Sequence, residues 1–330
     1  MTTTRKVLIS LLLLATLAAG LYAYFLYAPK PTQPALSATL QHERIELGGL
    51  QRDYAFYAPK NLPANAPLVF VLHGSLQTID DIRTFSAYAF ERLADHHGFI
   101  VVYPQGFEKN WNDCRRTADY PARAQNIDDK GLITALIQRF ARQHGTDPQR
   151  AFLTGYSNGG QLGLRIALEN PALLAGVAAF AANLPTDDNL ACTPSGQAVP
   201  VLLMNGTRDP INPYNGGVVT LFGFGNRGTV RSAYESALYF ANLAGYPRDA
   251  VRSSTAWNDP NDPAQRVSLD QWQADGRAEI ALYGVIGGGH LLPQGDFRAP
   301  RLLGPTLSGF DGPRAIWDFF ARQQPVPARP

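Results

Sequence analysis

Two cysteines in 330 residues cannot build a disulfide-dense scaffold or a cysteine-rich metal site. Charge is also scarce, at 17% of residues, whereas hydrophobic residues make up 45%. Disordered chains and coiled coils need the opposite balance, so both are excluded. The formal net charge is only +2 and no basic block exceeds a pair, so no nucleic-acid partner is expected. No H-E-x-x-H, C-x-x-C or phosphate-cradling glycine loop occurs, so neither a metal nor a nucleotide cofactor is expected.

What is present begins at the amino end. Arg5 and Lys6 precede an uncharged run from Val7 to Tyr27. As a helix this run would span about 30 Å, the thickness of a bilayer core, with its basic flank held in the cytoplasm. The small residues Ala15 to Gly20 suit a cleaved signal peptide; the tyrosines at 22, 24 and 27 suit the interfacial end of an uncleaved anchor. Either reading exports the remainder, to the periplasm or cell envelope or as a secreted protein. Residues 1–34 are read as this segment plus a Pro-rich linker, and residues 35–330 as a single catalytic domain. In an oxidising compartment Cys114 and Cys192 are expected to bond to each other; the other reading is two separate buried thiols.

The rest of the chain alternates strand-like and helix-like stretches. Apolar runs at 68–72, 99–103, 151–154, 177–180 and 199–204 read as buried strands, with further strands at 51–57, 267–272 and 279–286. Helices are expected over 79–97, 126–144, 230–244 and 313–322, with another following Gly155–Gly160 and running to about residue 170. This order predicts an α/β fold, a mostly parallel central sheet with helices on both faces, and chemistry at the carboxyl ends of the strands. Asp128 and Asp129 read as charges at a helix start rather than a catalytic pair.

The sharpest motif is Gly155-Tyr156-Ser157-Asn158-Gly159. It follows an apolar strand and opens a helix, the setting of a nucleophile elbow, so Ser157 is the candidate nucleophile. Of six histidines, His290 alone combines a strand end with a preceding triple glycine, which makes it the candidate base. Asp209, after the strand ending at Met204, is the candidate orienting acid, with Asp113, Asp187 and Asp188 as rivals. Ser, Asp, His is the chain order of α/β-hydrolases. The oxyanion hole is expected from the amide of Asn158 and that of Ser75 in the His73-Gly74-Ser75-Leu76 turn, with Leu76 the alternative to Ser75. Tyr214, Phe222 and Phe224, in a glycine-rich loop after Asp209, read either as an apolar substrate wall or as plain structure.

Leu72-His73-Gly74-Ser75, the Trp111-Asn112-Asp113 loop, Gly155 to Gly160, Asn205 to Pro210, Tyr214 to Gly217 and Gly287 to His290 resemble the polyhydroxybutyrate-depolymerase-like and feruloyl-esterase-like α/β-hydrolases. The resemblance runs from about Arg52 to Arg322. It implies Ser157, Asp209 and His290 as the triad and carboxylic esters as substrates; Trp111 joins Tyr214, Phe222 and Phe224 as a candidate substrate-binding residue. With few residues after Arg322 and a tethered amino end, soluble esters or oligomers are expected rather than a solid polymer. The rivals are a prolyl-oligopeptidase-like serine peptidase and a non-catalytic hydrolase-fold binding protein.

Overall fold

A computed structural model gives the fold. It describes residues 3–325, so the last five residues of the expected 35–330 domain lie outside the described residues. Helix α1 (Thr3–Leu21) continues through a π-helical turn, Tyr22–Leu26, and none of its residues is buried. By length and composition the span Thr3–Leu26 can cross a membrane.

Beyond it lie strands β1 (Gln41–Leu47), β2 (Leu50–Tyr57), β3 (Leu68–Leu72), β4 (Ile100–Pro104), β5 (Ala151–Tyr156), β6 (Gly176–Phe180) and β7 (Val201–Gly206). A small antiparallel pair, β8 (Gly217–Val218) and β9 (Thr229–Val230), precedes β10 (Arg252–Asn258), β11 (Arg266–Trp272) and β12 (Ile280–Ile286). The main sheet has ten strands in the order β1-β2-β4-β3-β5-β6-β7-β12-β11-β10. From β4 to β12 the neighbours are parallel; β1, β2, β10 and β11 close the edges antiparallel.

Because side chains alternate along a strand, one apolar run feeds two cores. Leu68, Phe70 and Leu72 of β3 enter a core built with α5 (Asp129–His144), α6 (Asn158–Glu169) and α7 (Ala233–Leu243). Val69 and Val71 face the other core, built with α2 (Ile79–Phe85), α3 (Ala89–His97) and α8 (Gly312–Ala321). The sheet is therefore covered on both faces, as a parallel sheet requires.

Three helices differ from the sequence reading. The expected 79–97 helix is two: Ala87 and Tyr88 adopt left-handed φ values of 50° and 57°, which a right-handed helix cannot continue, and Gln294 donates to the freed Phe85 carbonyl. Helix α5 starts at Asp129 rather than residue 126, because the Asp128 carboxylate accepts the Gly131 amide and caps it; a one-turn α4 (Pro121–Ala124) precedes it. Helix α7 starts at Ala233 because Ser232 and Glu235 form a capping box.

Cys114 and Cys192 are joined in a disulfide. The bond ties the loop after β4 to the segment after β6, which Arg116 N–H to Asn189 O (2.7 Å) and Ala191 N–H to Cys114 O (2.8 Å) already hold together.

Candidate active site

Strand β5 ends in a turn whose central residue, Ser157, has φ 51° and ψ −113°. That region is sparsely populated for residues with a side chain and costs of order 1–3 kcal/mol. The turn closes because its neighbours are small: a Cβ on Gly155 would lie 2.3 Å from the carbonyl carbon of Gly159. The Ser157 amide donates to Phe180 O at 2.9 Å, which fixes the residue against β6. Its hydroxyl makes no hydrogen bond among the described residues.

His290 follows β12, and its amide donates to Leu303 O at 2.7 Å. Gly289 permits this approach, since a Cβ there would lie 2.2 Å from the same oxygen. The imidazole Nδ1 lies 2.6 Å from Asp209 Oδ2, and both side chains are buried. Asp209 Oδ1 accepts the amides of Ile211 and Asn212, each at 2.8 Å, so its second oxygen is left to face the histidine. With Oδ2 as acceptor, Nδ1 carries the proton and Nε2 is left as the basic nitrogen. Tyr156, beside Ser157, donates its hydroxyl to His290 O at 2.9 Å, and the two rings lie 5.1 Å apart. The elbow and the histidine loop therefore meet. The rival acids lie elsewhere: Asp187 pairs with Arg231 and Asp113 with Arg115.

On the other side of β5, the turn after β3 offers an amide. His73 is buried, and its Nε2 accepts the Gly106 amide at 2.9 Å, so Nδ1 bears the hydrogen and donates to Gly74 O at 2.7 Å. In a trans peptide C=O and N–H point in opposite directions, so holding Gly74 O turns the Ser75 amide the other way. Leu76 N–H is engaged by Lys109 O at 2.8 Å, which leaves Ser75 as the free donor of this turn among the described residues. The second amide, Asn158 N–H, opens α6, where no carbonyl of the helix can accept it.

Burial lowers the His73 pKa from 6.5 to about 4, with the Gly74 carbonyl opposing the shift. The unfolded chain takes up this proton below about pH 6.5, and the folded chain refuses it until about pH 4. Stability supplied by neutral His73 is therefore complete above 6.5 and declines by about 3 kcal/mol as the pH falls through that window. Denaturant unfolding of wild type and H73N at pH 7.5 and 4.5 should show a weaker pH dependence in the variant. Equal slopes would remove His73 from the effect.

Trp111 corrects an expectation. It is fully buried, with no surface to offer a substrate. Its indole donates to His73 O at 2.9 Å and its amide to Asn158 Oδ1 at 2.7 Å, so it ties the turn after β3 to the start of α6. The Asn158 side chain, which sequence reasoning did not single out, also donates to Trp111 O (3.1 Å), Asp113 Oδ2 (2.7 Å) and Tyr120 Oη (2.9 Å). Burial alone would raise the Asp113 carboxyl, but Arg115 and Tyr120 hold it below the usual carboxylate range. Asp129 is likewise structural: buried, it pairs with Arg52 and accepts the Asn112 amide.

The aromatic loop divides. Tyr214 is half-buried against the α5–α7 core, with its hydroxyl 2.7 Å from where a Gly284 Cβ would sit, so packing accounts for it. Phe222 and Phe224 are 40% and 79% exposed on a tight turn in which Leu221 bridges Phe224. Arg227, at the end of that turn, donates to Ser75 Oγ at 3.1 Å and brings the loop to the Ser75 turn.

Residues 52–208 match the family described as Esterase PHB depolymerase. The chain is polyhydroxybutyrate-depolymerase-like over that segment. Among similar proteins, NocK of Nocardia uniformis subsp. tsuyamanensis, provisionally named an esterase, is 28% identical over 58% of this chain and 54% of its own. Poly(3-hydroxyalkanoate) depolymerase C of Paucimonas lemoignei is 32% identical over 38% of this chain and 30% of its own. Acetylxylan esterase A of Talaromyces purpureogenus is 25% identical over 83% of this chain and 75% of its own. The matches thus span about half of NocK and under a third of the depolymerase. The solved acetyl xylan esterase from Aspergillus awamori superposes with a TM-score of 0.54 at 17% identity, covering 78% of this chain and 95% of that one. The shared fold is that of the α/β-hydrolases. The relatives include acetylxylan esterases, named for a substrate class absent from the sequence-based expectations.

Proposed function

We propose that the chain is an exported serine esterase, with residues 35–330 as its catalytic domain. The observation that carries this reading is the buried His290–Asp209 pair, whose Nε2 is left basic beside the positive-φ Ser157 elbow. Ser157 Oγ attacks the ester carbonyl while His290 Nε2 takes its proton, and Asp209 stabilises the imidazolium that forms. The oxyanion develops between the amides of Ser75 and Asn158. The imidazolium then protonates the departing alcohol, and water releases the acid from Ser157 by the same route. No hydrogen bond joins the Ser157 hydroxyl to His290 Nε2 among the described residues, and the proton transfer requires that one form as the ester is attacked.

The names of the relatives favour acetyl esters and 3-hydroxyalkanoate esters as the substrate classes. Export is supported by the unburied apolar helix at the amino end and by the disulfide. The span 7–27 serves as membrane anchor or signal.

The test is covalent. A fluorophosphonate probe should label the wild-type chain on the peptide containing Ser157. The same preparation should hydrolyse members of a panel of p-nitrophenyl acetate, acetylated xylan, methyl ferulate and hydroxybutyrate oligomers. No label, or label on another residue, together with an inert panel, overturns the reading in favour of a binding protein. Turnover confined to peptide amides would favour the peptidase.

A further inference from the structure

Arg227 touches the proposed oxyanion turn, and among the described residues no acid pairs with it. Its Nη1 donates to Ser75 Oγ at 3.1 Å, and its guanidinium carbon lies 5.5 Å from the centre of the Tyr120 ring. Among the described residues no carboxylate comes within ion-pair distance. Asp113, behind Tyr120, is already taken by Arg115. Asp119 is exposed and acts on Arg227 only at longer range. Desolvation and the repulsion of Arg115 both work against the charge on Arg227, whose pKa is lowered. The arm that carries it is fixed: Arg227 N–H donates to Val219 O at 2.9 Å, and Arg227 O accepts from Asn189 Nδ2 at 3.1 Å. A half-desolvated guanidinium held in place by a hydroxyl and an aromatic ring, with no carboxylate on it among the described residues, is a preorganised anion receptor, since its planar fork matches a carboxylate.

We propose that Arg227 binds a free carboxylate of the substrate, and that the site prefers esters carrying a carboxylate a few bonds from the scissile carbonyl. The inference rests on the esterase reading, because the neighbouring Ser75 amide marks where the carbonyl oxygen would lie. Two kinds of ester present this chemistry. A half-ester of a dicarboxylic acid carries the carboxylate on its acyl side; the terminal unit of a hydroxyacid oligomer carries it on its alcohol side. The bland reading of Arg227 is a latch that only holds the 219–228 turn against Ser75.

The experiment compares matched neutral and anionic esters. Monoethyl succinate against diethyl succinate probes the acyl side, and 3-acetoxybutyrate against its methyl ester probes the alcohol side, with product formation followed by NMR. The readout is the ratio of kcat/KM, anionic over neutral, in wild type, R227M and R227K. In the arm that matches the natural substrate, R227M should lower the ratio roughly tenfold or more and R227K should retain part of it. Added salt should lower the wild-type ratio as it screens the pair, a measurement that stands if the variants fail to fold. A ratio that is the same in wild type and R227M in both arms, or insensitive to salt, overturns the inference and leaves a latch. No turnover of any of the four esters overturns the esterase reading as well, so the two failures are distinct.

Discussion

Ser157→Ala is expected to lower kcat on p-nitrophenyl butyrate by on the order of 10⁴–10⁶-fold. The size follows from removing the only atom proposed to bond to the acyl carbon, after which His290 has nothing to activate but water. The fold should survive. The Ser157 hydroxyl has no hydrogen-bond partner among the described residues, so alanine orphans no buried group. The strained φ is set by the main-chain bond to Phe180 and by close-packed glycines, neither of which changes. Near-wild-type denaturant unfolding with abolished turnover is the expected pair of results. Turnover within about tenfold of wild type would take Ser157 out of the mechanism, since removing a nucleophile costs several orders of magnitude.

Asp209→Asn should cost about 10⁴-fold in kcat, with the geometry nearly intact. Asp209 uses Oδ1 for the amides of Ile211 and Asn212 and Oδ2 for His290 Nδ1. An asparagine keeping its oxygen on the two amides must turn its NH₂ toward the imidazole. Nδ1 then becomes an acceptor, the ring proton moves to Nε2, and no basic nitrogen faces Ser157. The loss should fall in kcat more than in KM, because the defect lies in the protonated transition state rather than in binding. A KM effect alone would mean that Asp209 only shapes the loop.

How much of this was legible beforehand depended on how local each signal was. The solid apolar run at 68–72 and the elbow at 155–159 state their own conformation, through side-chain type and glycine spacing. The break between α2 and α3 did not, because Ser86-Ala87-Tyr88 contains no glycine or proline and the left-handed turn is held by contacts as distant as Gln294. Strands β1 and β10 were missed for another reason: they are exposed edges, and an edge strand carries too few buried residues to mark the sequence. At the site, Ser157, Asp209 and His290 could be named because each follows a strand and has distinctive neighbours. The choice between Ser75 and Leu76 needed the Lys109 carbonyl, which lies 33 residues away in the chain. Trp111 was misread for the same reason. Aromatic character marks both a substrate wall and a buried brace, and only the partners of its indole and amide distinguish them.

The order of strands in the sheet also has a stereochemical consequence. The turn that presents the Ser75 amide follows β3, on one side of the elbow after β5, and His290 follows β12, on the far side of β6 and β7. Under the proposed mechanism the carbonyl oxygen must point toward β3 while the departing oxygen lies toward β12. A planar ester held that way shows Ser157 only one of its two faces. Handedness of the sheet thus becomes handedness of attack, and a substrate with a stereocentre next to the ester meets the site as one hand or the other.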